Sequence, residues 1–297
     1  LPPTTFFDRI NESYDEDETM AIEDTESILD ISRTIYKPRR LRWHYRSEHE
    51  SLISFSNREF YDEDLIVFPS PIRSNDQLGI RCHYIKDAAY SKGRNLTEAE
   101  AIVNAIINHF EDAPDVSLGV ATFNREQRDL IEDLLDKKRK QDHWLDNIIK
   151  ESEEKEEPFF IKNLENVQGD ERDAIFISFT YGPDQSTRKV YQRFGPIGNE
   201  AGWRRLNVIF TRAKKRVEVF TSMLPTDLII TDSTPRGVRV LRDYLDYALN
   251  GRSHDYGKIS KKEPGSDFEV AVARILNSFG YKTAFQVGVA GYFIDLG

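Results

Sequence analysis

The stretch SLGVATFNREQRDLIEDLLDKKRK, residues 117–140, decides the fold of this chain. Its first part, 117–123, is uncharged and mostly apolar, which is typical of a strand buried on both faces of a sheet. Asn124 is a good helix N-cap, and the apolar residues after it recur at helical spacing, so a helix is predicted to begin there. A buried strand that leads directly into a capped helix is the building unit of parallel α/β sheets.

The rest of the chain repeats this alternation of strands and helices. Four other apolar runs have the length of a strand: GIRCHYI (79–85), PFFIKNL (158–164), DAIFISFT (173–180) and RVEVFTS (216–222). The segment 96–110 predicts an amphipathic helix with Thr97 as its N-cap and Glu100 as its capping-box partner. We therefore expect an α/β fold over residues 35–250, in which helices cover both faces of a parallel sheet.

Composition divides the remainder of the chain. Residues 1–34 include an acidic segment, 8–30, which is predicted to be a mobile or partly helical surface segment. Residues 251–266 are rich in glycine, serine and charge, which is typical of a linker. Residues 267–297 predict one helix and two short strands, too few for a core of their own, so we expect the truncated start of a second domain.

Charge is distributed unevenly along the 297 residues. The net charge is −10, but residues 1–30 contain ten acids and one arginine, a balance of −9, so the other residues carry only −1. Residues 188–216 contain nine lysines or arginines and a single acid, Glu200. A basic stretch of this size can contact phosphates whatever the total charge, although a solvated basic face would look the same.

Composition also argues against several classes of protein. No apolar run reaches the roughly 18 residues that a membrane span requires, and no signal-peptide pattern opens the chain. Cys82 is the only cysteine, which excludes an intrachain disulfide and a cysteine zinc site and leads us to expect a cytoplasmic location. The six histidines show no metal-ligand spacing.

Four blocks contain the candidate functional residues: HYRSEHESLISFSNREFY (44–61), GVATFNREQ (119–127), NLENVQGDERDAIFISF (163–179) and GWRRLNVIFTRAKKRVEVF (202–220). Thr122 and Asn124 lie at the carboxyl end of a predicted parallel strand, the edge at which open α/β sheets bind ligands. The third block places Gln168, Gly169 and Glu171 in a turn before a strand, where a glycine lets the backbone approach a ligand closely.

The arginines of these blocks indicate an anionic ligand. Arg205 and Arg212 are seven residues apart, or two helical turns, so we expect their guanidinium groups on one helix face. Arginine stays charged and binds oxygens bidentately, which suits a polyphosphate. Arg46 and Arg212 are therefore candidates for phosphate contact, and Glu171 for a sugar hydroxyl. From the residues alone, structural ion pairs with the abundant acids are an equally good explanation.

In their order and spacing, these blocks resemble motifs IV, IVa, V and VI of superfamily 1 helicases of the Upf1-like type. YRS (45–47), QGDERD (168–173) and RRLNVIFTRAKKRV (204–217) are similar to the signatures of that family. The opening LPPTTFF (1–7) is similar to the second half of motif III, Gly-Asp-x-x-Gln-Leu-Pro-Pro-Thr, so we expect a piece of a longer protein. The resemblance covers about residues 1–225 and implies the second RecA-like domain of a helicase.

The resemblance also implies a set of roles. It implies single-stranded DNA or RNA as partner, no membrane, and ATP with Mg²⁺ as cofactors of the parent protein. The residues that resemble arginine fingers are Arg46 and Arg212. Those assigned to ATP binding are Gln168, Gly169, Glu171 and Arg205. Those assigned to the nucleic-acid backbone are Thr122, Asn124 and Asn163, although Asn124 stands where the family often has an aromatic residue and Asn163 where it has Ser or Thr.

A Walker A loop, Gly-x4-Gly-Lys-Ser/Thr, is absent from this sequence. The nearest match, GRSHDYGKI (251–259), has five residues between its glycines and Ile259 in the last position, so we reject it. In the family, this loop belongs to the first RecA-like domain, which we expect before Leu1 and as a partner of this domain. The isolated chain is therefore predicted not to hydrolyse ATP and to bind it weakly if at all.

The tail resembles the start of a restriction-endonuclease-like domain of the PD-(D/E)xK and very-short-patch-repair kind. By this resemblance Glu269 lies on the first helix, and Asp295 ends the second strand as a Mg²⁺ ligand. On spacing alone each is an ordinary surface acid. A fused nuclease would favour DNA as the substrate, in repair or in defence against foreign DNA, but we expect the truncated domain to be inactive.

An alternative from another class also fits the sequence. It is a nucleic-acid-binding or interaction module without an ATP role, which uses only the basic stretch 188–216. The polar helical region 124–157 is predicted to be a surface excursion, for which a partner contact and a plain charged helix with its loop both remain open.

Overall fold

Five parallel strands form the central sheet of the computed structural model, which describes residues 28, 32, 35–70, 78–199, 201–250, 258–259, 266–289 and 292–296. In chain order, the strands are β1 (Gly79–Tyr84), β2 (Tyr90–Ser91), β3 (Arg94–Asn95), β4 (Leu118–Thr122), β5 (Phe160–Asn163), β6 (Arg172–Ser178), β7 (Ala213–Thr221), β8 (Lys258–Ile259), β9 (Phe285–Val289) and β10 (Tyr292–Leu296). The helices treated below are α1 (Ser51–Phe60), α2 (Leu96–Asp112), α3 (Arg125–Arg139), α4 (His143–Glu153), α5 (Gly202–Phe210), α6 (Arg236–Asn250) and α7 (Asp267–Ser278).

The chain divides into two units, Leu1–Arg42 and Trp43–Gly297, and the central sheet belongs to the second. Apart from Ile28, the acidic segment 8–30 lies outside the described residues, as does the opening LPPTTFF. The structure therefore does not test what the sequence predicts for them.

The strands of the central sheet follow the order β1-β7-β6-β4-β5, and each neighbouring pair is parallel. Every residue of β4 is buried, as are all but one of β6, because both strands have helices on either side. The predicted α/β fold with a parallel sheet covered on both faces is confirmed, and it is consistent with a RecA-like domain. Strand β7 begins at Ala213, three residues earlier than predicted.

Two layers of helices enclose the sheet. On one face α2, α3 and α4 pack together through Ile102, Ile131 and Ile149, each fully buried. On the other face α1, α5 and α6 meet in an aromatic cluster, in which the Phe55 and Tyr244 rings lie 5.0 Å apart. Burying one such large apolar side chain contributes roughly 1.5–3 kcal/mol, so both layers hold the sheet firmly.

The structure corrects two local predictions on the first of these layers. Helix α2 is capped by Asn95, whose side chain accepts a hydrogen bond from Glu98 N, and not by Thr97 with Glu100. Helix α4 is not a surface excursion, because Leu145 on it is buried in the core. The predicted start of α3 at Asn124 is confirmed, since its side chain accepts from Gln127 N.

The helix predicted to carry both Arg205 and Arg212 ends too early for that. Helix α5 stops at Phe210, and Arg212 lies beyond its C-cap, immediately before β7. The two guanidinium groups therefore do not share a helix face. The turn from helix to strand at Thr211 breaks the helical period on which the prediction was based.

The tail contains the predicted helix and two strands. Helix α7 is followed by β9 and β10, and these strands form an antiparallel sheet of order β10-β9-β8. Strand β8 lies within 251–266, so part of the predicted linker pairs with the tail.

Candidate functional site

The candidate residues occupy opposite edges of the central sheet. Arg46, Glu171 and Arg212, together with Lys214, lie where β6 and β7 begin, and we call these four the amino-edge cluster. Thr122, Asn124 and Asn163 lie where β4 and β5 end, and we call them the carboxyl-edge cluster. The expectation that ligands bind at the carboxyl edge therefore applies to the second group only.

Arg46 reaches the amino edge from a segment that is fixed to β7. Glu48 N donates to Lys214 O at 2.7 Å, which sets the segment alongside the start of that strand. Arg46 Nε then donates to Glu171 Oε2 at 2.5 Å, and one terminal nitrogen donates to Thr211 O at 3.3 Å. This hydrogen bond and the charge of Arg46 lower the pKa of Glu171, so the carboxylate is ionised at neutral pH.

Arg212 is held by main-chain and hydroxyl oxygens. Its Nε donates to Val208 O at 2.8 Å, and a terminal nitrogen donates to the Thr211 hydroxyl at 3.2 Å. A second terminal nitrogen lies 3.5 Å from Asp170 O. Burial first, and then the positive charge of Arg46, lower the pKa of Arg212. Two guanidinium groups that repel each other at one edge favour an anion between them.

Gln168 and Gly169 occupy the centre of a tight turn beside this cluster. Asp170 N donates to Val167 O at 3.3 Å, and Gly169 has a φ of +93°, which a residue with a side chain adopts only with strain. Apart from its two chain neighbours, no atom of the described residues lies within 4 Å of where a Cβ of Gly169 would be. The predicted turn is confirmed, and its glycine presents open backbone at the amino edge.

Arg205 lies inside α5 rather than at the amino edge. It is only 5% exposed, and its Nε has no hydrogen-bond partner among the described residues. A buried nitrogen without a partner is unfavourable, and the burial of Arg205 places it apart from the amino-edge cluster.

The sequence reasoning missed Lys214. Its ammonium forms an ion pair with Glu157 and lies 3.8 Å from Glu171, so it adds a third cation to the amino edge. The two neighbouring lysines in TRAKKRV were the available signal, but the sequence does not tell which of them faces the cluster. The position at which β7 begins decides this: Lys214 faces Glu171, and Lys215 pairs with Asp173.

The carboxyl-edge cluster is built differently. Thr122 pairs in register with Asn163 on β5, and its buried hydroxyl donates to Asn124 O at 2.6 Å. The Asn124 side chain caps α3 and donates to Gly93 O at 2.9 Å. Asn163 is 9% exposed, and its Oδ1 has no hydrogen-bond partner among the described residues. Thr122 and Asn124 are engaged within the chain, so Asn163 is the side chain of the three best placed to contact a ligand.

A buried carboxyl group behind this edge was also missed. Glu98 is fully buried, and its Oε1 accepts from the Ser178 hydroxyl at 2.6 Å and from Thr180 N at 2.7 Å. Burial raises the pKa of Glu98 to about 8, against the effect of these two hydrogen bonds. In the sequence, Glu98 looks like an ordinary acid of a first helical turn, so nothing distinguished it.

The acids of the tail have local partners. The Glu269 carboxylate accepts a hydrogen bond from the Ser266 hydroxyl at 3.0 Å, and Ser266 caps α7 by accepting from Glu269 N. Asp295 Oδ1 accepts from Gln286 Nε2 at 3.2 Å. In the part of the chain that the structure describes, no three histidine, cysteine or acidic side chains are grouped so that they could hold a metal ion, and no helix is long and apolar enough to cross a bilayer.

The comparisons with known proteins show the family. Residues 25–223 match the AAA domain family, and the chain belongs to it. It is 34% identical over 285 residues to the "uncharacterized ATP-dependent helicase MG140 homolog" of Mycoplasma pneumoniae, which covers 91% of this chain and 25% of that protein. It is 35% identical over 292 residues to the "uncharacterized ATP-dependent helicase MG140" of Mycoplasma genitalium, covering 92% of this chain and 25% of that protein.

The chain thus spans about a quarter of the length of these curated relatives. Among solved structures, the C-terminal domain of a possible DNA helicase from Lactobacillus plantarum WCFS1 aligns with a TM-score of 0.35 and 12% identity. That alignment covers 68% of this chain and 96% of the other.

Proposed function

We propose that this chain is the second motor domain of an ATP-dependent helicase, of the Upf1-like type within superfamily 1, that moves along single-stranded DNA. The order of the four motif blocks supports this function, as do the AAA domain match and the names of the two relatives. The observation that carries the proposal is that Arg46 and Arg212 meet at the amino edge, where Arg46 donates to Thr211 O and Arg212 donates to the Thr211 hydroxyl.

The residues of the amino edge fit a nucleotide polyphosphate. Arg46 and Arg212 would bind the terminal phosphate of ATP, whose hydrolysis supplies the free energy for movement. Glu171 holds the Arg46 guanidinium in place until that anion arrives, and Gln168 with the open backbone of Gly169 would contact the rest of the nucleotide. Because the sequence contains no Walker A loop, we expect the isolated chain to be inactive as an ATPase.

The carboxyl edge is the proposed path of the nucleic acid. Thr122 and Asn124 are occupied by hydrogen bonds within the chain, so their contribution is to shape the edge. Asn163 is the residue proposed to hydrogen-bond the sugar–phosphate backbone, because Thr122 and Asn124 are engaged within the chain and the amide nitrogen of Asn163 can donate to a phosphate oxygen. An amide contributes both a donor and an acceptor, and its donor can serve a phosphate oxygen as a hydroxyl does.

For the tail we propose the opening of an endonuclease-like domain that makes DNA the substrate. The order of α7, β9 and β10, with Asp295 near the end of the second strand, supports this assignment. In the intact protein, Asp295→Ala should abolish Mg²⁺-dependent cleavage of DNA and leave ATP hydrolysis unchanged. Cleavage that survives this substitution would remove Asp295 from the site.

The motor function is tested by ATP hydrolysis of the intact protein in the presence of single-stranded DNA. Arg212→Ala should lower kcat about a thousandfold, the order of an arginine-finger contribution, and leave DNA affinity within about twofold. The matched control is Arg242→Ala, because Arg242 is a partly exposed arginine that pairs with Asp243 on α6. If Arg212→Ala weakens DNA binding and no ATP hydrolysis exists to be lost, the chain is instead the ATP-independent binding module.

A further inference from the structure

Two surface segments at the carboxyl edge pack side by side and carry unpaired cations. The first is the hairpin of β2 and β3, residues 90–95, and the second is the loop 183–193 that follows β6. Tyr90 N donates to Pro183 O at 2.9 Å, and Tyr90 forms an isolated parallel β-bridge with Asp184. The two segments therefore form one continuous surface.

Each of the two segments contains a well-defined turn that exposes its basic residues. At the hairpin tip, Lys92 and Gly93 have φ values of +49° and +83°, the signature of a two-residue turn that suits a hairpin. In the loop, the Asp184 carboxylate accepts hydrogen bonds from the backbone nitrogens and hydroxyls of Ser186 and Thr187. These bonds lower the pKa of Asp184 to about 2, so the turn is formed at all physiological pH values.

The cations on this surface have no internal partners. Lys92, Arg94, Lys189 and Arg193 are exposed, and none of them forms an ion pair within the described part of the chain. Arg188 does pair with Asp87, and it donates to Asp87 O and Ala88 O, so it joins the loop to the turn just before the hairpin. One exposed acid, Glu126, lies beside Gly93 at the tip.

We propose that Lys92, Arg94, Lys189 and Arg193 form a second contact surface for single-stranded nucleic acid, continuous with the carboxyl-edge cluster. Asn124 Nδ2 donates to Gly93 O, so the hairpin tip is tied directly to that cluster. Tyr191 lies between Lys189 and Arg193 and is 52% exposed, which gives a base a ring on which to stack. The four cations bind the phosphates of the part of the strand that extends past Asn163.

This inference rests on the proposed function, and it extends the nucleic-acid path by residues outside the four motif blocks. The test is the affinity of the chain for a fluorescently labelled single-stranded DNA, measured by anisotropy at several salt concentrations. Lys92→Glu with Lys189→Glu should weaken binding at least tenfold and reduce the dependence of affinity on salt. The matched control is Lys137→Glu with Lys138→Glu, which makes the same change of charge at the far end of α3.

The outcomes separate this inference from the proposed function. If both charge-reversal variants weaken DNA binding equally, the proposal of this surface is wrong, because the effect would reflect net charge alone. If Asn163→Ala weakens binding and the double variant at Lys92 and Lys189 does not, the proposed path stands and the added surface is wrong. If the unmodified chain binds no single-stranded DNA, the added surface is wrong, and ATP hydrolysis by the intact protein still decides the motor function. Displacement of the DNA by polyglutamate of equal charge would assign the surface to acidic protein segments instead.

Discussion

The two edges of the central sheet satisfy their polar side chains in opposite ways. At the amino edge, Arg46 is 26% exposed and shares Glu171 with Lys214, so its contacts can be exchanged for those of a ligand. At the carboxyl edge, polar groups are buried in a network around Glu98, which fixes the ends of the strands. A site that has to bind and release a charged group needs exchangeable contacts, whereas a track for a polymer needs a fixed shape.

The largest expected effect is a difference in the free energy of unfolding between substitutions of two arginines at the amino edge. Arg172 is 6% exposed, donates to Pro158 O at 2.8 Å and stacks over the Phe160 ring at 4.7 Å. Arg172→Ala should lower the free energy of unfolding by about 3 kcal/mol, because it removes the packing of a buried side chain and leaves two partly buried carbonyl oxygens unpaired. Arg46→Ala should lower it by less than about 1 kcal/mol, since Arg46 is partly exposed.

Urea unfolding of the chain measures both values. Equal losses for the two variants would mean that Arg46 is a structural residue, and the contrast between exchangeable and fixed contacts would not hold within the amino edge. Arg242→Ala again serves as the control, since this arginine forms only a surface pair with Asp243.

A smaller effect is expected at the carboxyl edge, where Asn163 lacks a partner for its side-chain oxygen. Asn163→Ala should weaken binding of single-stranded DNA about tenfold, or about 1.4 kcal/mol. It should hardly change the free energy of unfolding, because no hydrogen bond of that oxygen is lost. Asn166→Ala, at an exposed position of the turn that follows β5, is the matched control for affinity. A loss of stability without a loss of affinity would make Asn163 a structural residue.

The sequence predicted the elements well wherever a local pattern decides them. The strand 117–123 and the cap at Asn124 depend on neighbouring residues, and both were right. The pairing of Arg46 with Glu171 joins residues 125 positions apart, and only the packing of the segment before α1 against β7 brings them together. Local periodicity misled at Arg212, because the helix ended at Phe210.

Burial was the other quantity that the sequence did not reveal. Arg205 and Glu98 both look like exposed charged residues of short helical turns, yet both are buried. Charged side chains are seldom fully buried, so a prediction from residue type places them at the surface. Their burial depends on which helix face meets the sheet, and that follows from the whole set of helix and strand contacts.

The smallest effect concerns Glu98 and tests how firmly the carboxyl edge is fixed. Its pKa is about 8 in the folded chain and near the ordinary value of 4.5 when unfolded, so the folded state holds the extra proton between these values. The free energy of unfolding should therefore fall as pH rises from about 4.5 to about 8. His44 opposes this trend below about pH 6.5, because its pKa is lowered to about 4 in the folded chain.

The window from about pH 7 to pH 8 therefore isolates Glu98, and Glu98→Gln should flatten the decline there by about 1 kcal/mol. The amide oxygen of the glutamine can still accept from the Ser178 hydroxyl and Thr180 N, so the two short hydrogen bonds are kept and only the 3.4 Å contact from Asn95 Nδ2 to Oε2 is lost. Urea unfolding of both proteins across this window measures the difference. An unchanged slope would mean that Glu98 is ionised in the folded chain. The carboxyl edge would then owe its fixed shape to a buried charge, and it would resemble the amino edge more closely than the geometry indicates.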